Sequence, residues 1–150
     1  MKVEEQIRET LAGDWLPDLY KTKVRSQRTR SVHLDIVARE NKPEILHTLL
    51  GIELKVGRRR FSCPDLATAR YLRVFARIGC RDFALPYDIS QIPVIADELE
   101  TAWVRALVII NGDPSAQRSV VKAMRTEITN IGPGDAMPLF DRETKQRRVE

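Results

Sequence analysis

The chain has 150 residues, with 25 Lys+Arg against 21 Asp+Glu and a formal net charge of +4. Hydrophobic residues make up 43% and charged residues 31%, which excludes a chain disordered as a whole and fits one globular domain with its own core. There is no apolar run of the roughly 18 residues that a membrane span needs, Met1–Glu5 is too acidic for a signal peptide, and Cys63 and Cys80 alone do not build a disulfide framework, so the expectation is a reduced, cytoplasmic protein without a membrane partner.

Val3, Ile7 and Leu11 repeat at helical spacing, which predicts a short helix over 2–12 that Gly13 ends. Trp15–Asp18 reads as a turn. The stretch 21–30 contains β-branched Thr22, Val24 and Thr29 and no helical apolar period, so it reads as a strand or an extended loop. Val32–Val37 alternates as a strand with Asp35 at its centre, and Arg39–Pro43 is a polar turn. Ile45–Leu50 is apolar and open between a helical turn and a strand. Ile52–Val56 is a clearer strand: Ile52, Leu54 and Val56 point one way, Glu53 and Lys55 the other.

Gly57-Arg58 begins a turn, and Phe61 starts a short return strand. A helix is predicted from about Asp65 to Ile78, with Gly79 as its stop. Its apolar face is Ala67, Tyr71, Val74, Phe75 and Ile78, and Arg70, Arg73 and Arg77 form a separate stripe. Phe83–Tyr87 reads as a strand whose Pro86 implies an edge or an end. A long helix follows from near Ile89 with Pro93 in its first turn, although Leu107–Ile110 also suits a strand. Asp113-Pro114 is a cap and first position for a last helix over Pro114–Asn130. The organisation is one α/β domain over 1–131 and a flexible basic tail over 132–150.

The charge is clustered. Lys21, Lys23, Arg25, Arg28 and Arg30 come with no acid between them, as do Lys55, Arg58, Arg59 and Arg60. The Arg70, Arg73 and Arg77 stripe follows with Arg81, and Lys145, Arg147 and Arg148 lie in the tail. Such clusters are the electrostatic footprint of a phosphate-binding surface, and a solvated or acid-paired face is the plainer alternative.

Glu53 and Lys55, two apart on a strand, emerge on one face. A carboxylate there can ligate a hard cation such as Mg²⁺ while the lysine orients a water and offsets phosphate charge. Asp35, 18 residues earlier, is the second carboxylate that a neighbouring strand would supply. Leu34-Asp35-Ile36-Val37 followed by Ile52-Glu53-Leu54-Lys55 resembles the paired motif of the PD-(D/E)xK nuclease superfamily. The succeeding basic turn, extended Phe61, helix to Gly79 and strand Phe83–Tyr87 resemble the order in archaeal Holliday-junction resolvases. The resemblance covers 3–88 and leaves 89–131 as a helical extension. It implies a restriction-endonuclease-like fold, a small mixed β-sheet flanked by helices. It also implies an Mg²⁺-dependent endonuclease with Asp35 and Glu53 as metal ligands, Lys55 as the catalytic lysine, and a helical glutamate beside the metal. Glu4 lies about 60° from the centre of the Val3/Ile7/Leu11 stripe and Glu5 about 160°, so Glu4 is the better placed. Leu34 stands where the family has proline, and Pro43-Glu44 is the alternative half-motif, with Glu44 as second carboxylate.

His33 and His47 lack partners at zinc spacing, Cys63 and Cys80 read as core residues, and no glycine-rich phosphate loop is present. Nucleic acid, DNA or RNA, is the expected partner, with phosphates tracked by Lys21–Arg30, Arg58–Arg60 and Arg70/Arg73/Arg77. Two other classes carry the same features: a non-catalytic nucleic-acid-binding protein, and a small interaction protein that forms a homodimer through the long helix beginning near Ile89.

Overall fold

The computed structural model describes residues 2–133, so most of the expected tail, with Lys145, Arg147 and Arg148, lies outside the described residues. Helix α1 (Val3–Leu11) buries Ile7 and Leu11. Helix α2 (Leu16–Leu19) runs directly into a π-helical turn over Tyr20–Val24. This corrects the extended reading of the first basic cluster over 21–24, whereas Thr29 and Arg30 do lie in a strand. Leu16, Leu19, Tyr20 and Val24 form a buried helical stripe that starts before the cluster and carries Lys21 and Lys23 outward on its exposed side.

The class is α/β, and among the described residues the strands all pair antiparallel, in two small sheets instead of one mixed sheet. Strand β1 (Thr29–His33) forms a ribbon with β5 (Asp82–Pro86). Strands β2 (Glu44–Thr48), β3 (Gly51–Val56) and β4 (Arg59–Cys63) form a meander in chain order. Its two connections are two-residue turns, Leu49-Leu50 and Gly57-Arg58, with Gly57 at φ 61° where glycine is favoured. Helix α3 (Leu66–Ile78) lies on the meander, starts at Asp65, whose carboxylate accepts from the Thr68 N–H at 2.7 Å, and ends at Gly79 with φ 86°. Helices α4 (Ile92–Ile110) and α5 (Pro114–Ile131) complete the domain, and Leu107–Ile110 is helical. On α4, Leu99, Ala102, Trp103, Ala106 and Ile110 are buried inside the chain, whereas Val94, Val104 and Val108 remain exposed. No helix among the described residues is long and apolar enough to cross a membrane.

An aromatic cluster ties the elements together. Phe75 of α3 stacks on Phe83 of β5 with centroids 4.3 Å apart, and Tyr20 and Tyr71 flank the pair. Tyr20 accepts from the Ala84 N–H at 2.8 Å and donates to the Gly132 carbonyl at 2.6 Å. Burial pushes its hydroxyl up to about 12.

The strand predicted over Val32–Val37 stops at His33. The N–H of Leu34 still donates to the Arg81 carbonyl at 2.7 Å, but the chain before Arg81 turns away into Cys80 and Gly79, so residues 35–37 have no partner strand. The alternation survives as burial, with Leu34 and Ile36 inside and Asp35 and Val37 exposed. The irregular segment 34–43 is clamped onto the end of α3. A helix leaves its last four carbonyls without helical donors, and here each finds one. Phe75 takes the N–H groups of Gly79 and Cys80. Ala76 takes Asn41 Nδ2 at 3.1 Å, Arg77 the Asn41 N–H at 3.2 Å, and Ile78 takes Arg125 Nη1 at 2.8 Å. At Gly79 a Cβ would lie 2.2 Å from the Arg39 carbonyl oxygen, so this close approach needs glycine twice, for space and for φ.

Candidate functional site

Glu53 and Lys55 sit on the face of β3 opposite buried Leu54 and Val56, as the alternation predicts. Arg60, opposite Lys55 on β4, shares that face, and its Nη1 lies 3.3 Å from Glu53 Oε1. Asp35 lies outside any strand and contacts a different arginine, with Arg59 Nη2 3.0 Å from its Oδ2. Arg59 is opposite Val56, in the column that alternates with Arg60. The pleat therefore sets the partners of Asp35 and Glu53 on opposite faces of the β3–β4 hairpin. The carboxylate that the register does bring to the Glu53 face is Glu44, directly across from Lys55. Glu44 and Glu53 are diagonal neighbours, a relation that places Cβ atoms within about 7–8 Å.

Glu4 is held elsewhere. Helix α1 packs on α5 and α4, and Glu4 lines a groove with Lys2, Ser119, Lys122, Thr126 and Glu127. Ile7 and Leu11 set this docking, and Trp15 Nε1 secures it by donating to Glu127 at 3.0 Å. Among the described residues no group of three His, Cys, Asp or Glu side chains is arranged to hold a metal ion. His33 forms an exposed pair with Asp82 at 2.7 Å, His47 is exposed on β2, and Cys63 and Cys80 are buried, as expected of core thiols. Burial pushes the Cys80 thiol up to about 12, which disfavours a thiolate.

The basic clusters separate into spent and available charge. Arg70 forks onto Glu100, with Nη2 2.6 Å from Oε1, and also pairs with Asp97. Arg73 reaches the other Glu100 oxygen at 3.1 Å. Hydrogen bonds donated to Glu100 and then Asp97 raise the Arg70 guanidinium above its ordinary value, and burial beside Arg73 lowers that of Arg77. Two members of the expected phosphate stripe thus build the α3–α4 interface, with Asp97 and Glu100 as their acids. Of the first cluster, Lys21 and Lys23 are exposed. Arg25 is half-buried and reaches Thr29. Arg28 and Arg30 lie over the ring of Tyr87, 3.8 and 4.7 Å from its centroid.

Arg58 and Arg59 line a groove of about 320 Å³ with Arg39, Asn41 and Val37 on its other wall and Asp35 as its acid. Arg39 also lines a second groove of about 360 Å³, against Arg118, Lys122 and Arg125 of α5, with Glu40 as its acid. Arg125 in turn lines a smaller third groove with Arg81 and Asp82. Arg39 and the α5 residues carried no weight as single positions in the sequence. Arg118, Lys122 and Arg125 did offer a signal, the i, i+4, i+7 spacing of one helix face; Arg39 offered none. Against this geometry, comparison of the chain with protein-family models, with curated proteins and with solved structures finds no match.

Proposed function

We propose that the protein is a nucleic-acid-binding module that holds backbone phosphates through the groove between segment 34–43 and the β3–β4 turn. The carrying observation is that Arg39, Arg58 and Arg59 converge with Asn41 on one groove against one acid, Asp35. Guanidinium groups recognise phosphate oxygens by paired N–H donors, and a segment fixed by Asn41 and Gly79 loses little freedom on binding. Anisotropy with a labelled duplex and a labelled single strand tests this. Affinity falls steeply with salt, and Arg58→Glu/Arg59→Glu lowers the slope of log affinity against log salt by about two. Absent or salt-insensitive binding overturns the reading.

One observation favours a second reading, the Mg²⁺-dependent nuclease of restriction-endonuclease-like fold. The β2–β3 register puts Glu44, Glu53 and Lys55 on one sheet face. Two carboxylates suit Mg²⁺, which takes one or two from a protein and keeps waters otherwise. Glu44 and Glu53 would hold the ion, which supplies charge for a phosphate and lowers the pKa of a bound water. Lys55 would hold its proton and face the phosphate. This reading replaces Asp35 by Glu44 and drops Glu4 from the site. Cleavage of duplex and branched DNA that needs Mg²⁺ and disappears in Glu53→Ala supports it, and equal cleavage by both proteins removes it.

A further inference from the structure

We infer that the basic face of α5 is the second half of a continuous phosphate track, so that the ligand is a nucleic-acid strand several phosphates long rather than a single phosphate group. The inference rests on the phosphate-binding reading of the 34–43 groove and extends its footprint to residues that no sequence cluster contains.

The argument begins with the helix. Arg118, Lys122 and Arg125 fall within about 60° on a helical wheel. Val120, Met124 and Ile128, fully buried, centre about 130° away around the wheel, which fixes the rotation of α5 and leaves the basic residues outside the buried stripe. Facing them is segment 34–43, whose Arg39 is shared by the first two grooves, while Arg125 is shared by the second and third. The three grooves are thus linked pairwise through Arg39 and Arg125, and their other basic lining residues are Arg58, Arg59, Arg118, Lys122 and Arg81.

Lys122 also borders the groove that holds Glu4 and Glu127, and the acids lining the three grooves of the path are already engaged. Asp35 is on Arg59, Asp82 is on His33, and Glu40 accepts from Gln117 Nε2. The Glu40–Gln117 bond joins segment 34–43 to α5, and Arg125 joins α5 to the end of α3. The two walls are thus fixed relative to each other before any ligand arrives, which lowers the ordering cost of binding. Converging like charges repel, and a protein that lines linked grooves with them gains back that energy when a polyanion enters. A lone phosphate neutralises one groove, whereas a strand reaches all three.

The test uses the full chain and anisotropy with labelled duplex DNA, single-stranded DNA and duplex RNA. Arg118→Glu/Lys122→Glu weakens binding about tenfold or more and lowers the salt slope by about two on the preferred strand type. Arg118→Lys/Lys122→Arg, which keeps both charges, binds as the wild type does. A tetranucleotide competes far less well than a longer strand. If wild-type and Arg58→Glu/Arg59→Glu proteins behave as proposed but Arg118→Glu/Lys122→Glu binds unchanged, the α5 inference is overturned and the groove reading stands. Loss of binding in the charge-preserving variant also overturns it, because the effect is then structural. If the wild type binds none of the probes, both fall together.

Discussion

Helices α3 and α5 each carry a basic stripe at helical spacing, and the two stripes have opposite fates. Arg70 and Arg73 on α3 face Asp97 and Glu100 of α4 and are spent in holding two helices together. Arg118 and Lys122 on α5 face a segment that brings another arginine, Arg39, and line a groove. Periodicity tells which face a charge occupies; the element across from that face decides whether the charge is structural or available to a ligand. Segment 34–43 is that element for α5, and its position depends on the end of α3.

The largest effect is therefore expected at Gly79, where both regions meet. Gly79→Ala places a methyl group against the Arg39 backbone and forces a left-handed φ on alanine. Left-handed backbone costs about 1–2 kcal/mol and overpacking about 1–3 kcal/mol, which together predict a loss of roughly 2–5 kcal/mol. Urea denaturation measures that loss. Phosphate-backbone affinity, assayed well below the unfolding midpoint, falls in the same variant because Arg39 and Asn41 are displaced. An affinity equal to wild type would show that the segment does not position the groove.

A smaller effect is expected where the charges are spent. Burial pushes the Glu100 carboxyl up, and the hydrogen bonds from Arg70 and Arg73 outweigh it, leaving the group below its ordinary value of 4.5. A carboxyl depressed in the folded state adds stability above its unfolded pKa, and that stability is lost as pH falls through the folded value. Glu100→Gln removes this contribution and costs about 1–2 kcal/mol at neutral pH, after allowance for partial exposure of the pair. Stability curves of the two proteins then converge below pH 4.5. Parallel curves down to strong acid would show that the Arg70–Glu100–Arg73 group is no net stabiliser.

What the sequence disclosed follows the same division between local and distant causes. The alternation of Ile52–Val56, a helix starting near Asp65, the Gly79 stop and the Asp113-Pro114 start are properties of neighbouring residues, and all are present in the fold. The helical start of the first basic cluster, over 21–24, is hidden because its stripe begins at Leu16, upstream of the charges. Asp35 has the pattern of a mid-strand residue without a strand, because alternation reports burial, and burial continues past His33 although the partner strand does not. The identities of the acids opposite Arg70 and the arginine opposite Arg118 depend on contacts across dozens of residues, which no local pattern encodes.

The smallest predicted effect is also the one that best separates the two functional readings. Asp35 pairs with Arg59 while both side chains remain about two-thirds exposed, 66% and 64%. An exposed pair of this kind contributes little to stability, so Asp35→Asn should shift the unfolding free energy by less than about 1 kcal/mol. Its effect on a phosphate is larger than its effect on folding. The carboxylate competes with phosphate for Arg59 and repels an incoming polyanion from a groove that contains Arg39 and Arg58. Removing the charge therefore strengthens nucleic-acid binding, by roughly two- to fivefold at low salt, and raises the salt slope by up to about one. A metal ligand behaves differently: if Asp35 served an ion together with Glu53, Asp35→Asn would abolish Mg²⁺-dependent cleavage. Stronger binding with cleavage unchanged or absent in both proteins assigns Asp35 to the groove as a counter-charge. Cleavage that is lost with Asp35 alone would return it to a metal site and require the hairpin to rearrange so that Asp35 and Glu53 meet on one face.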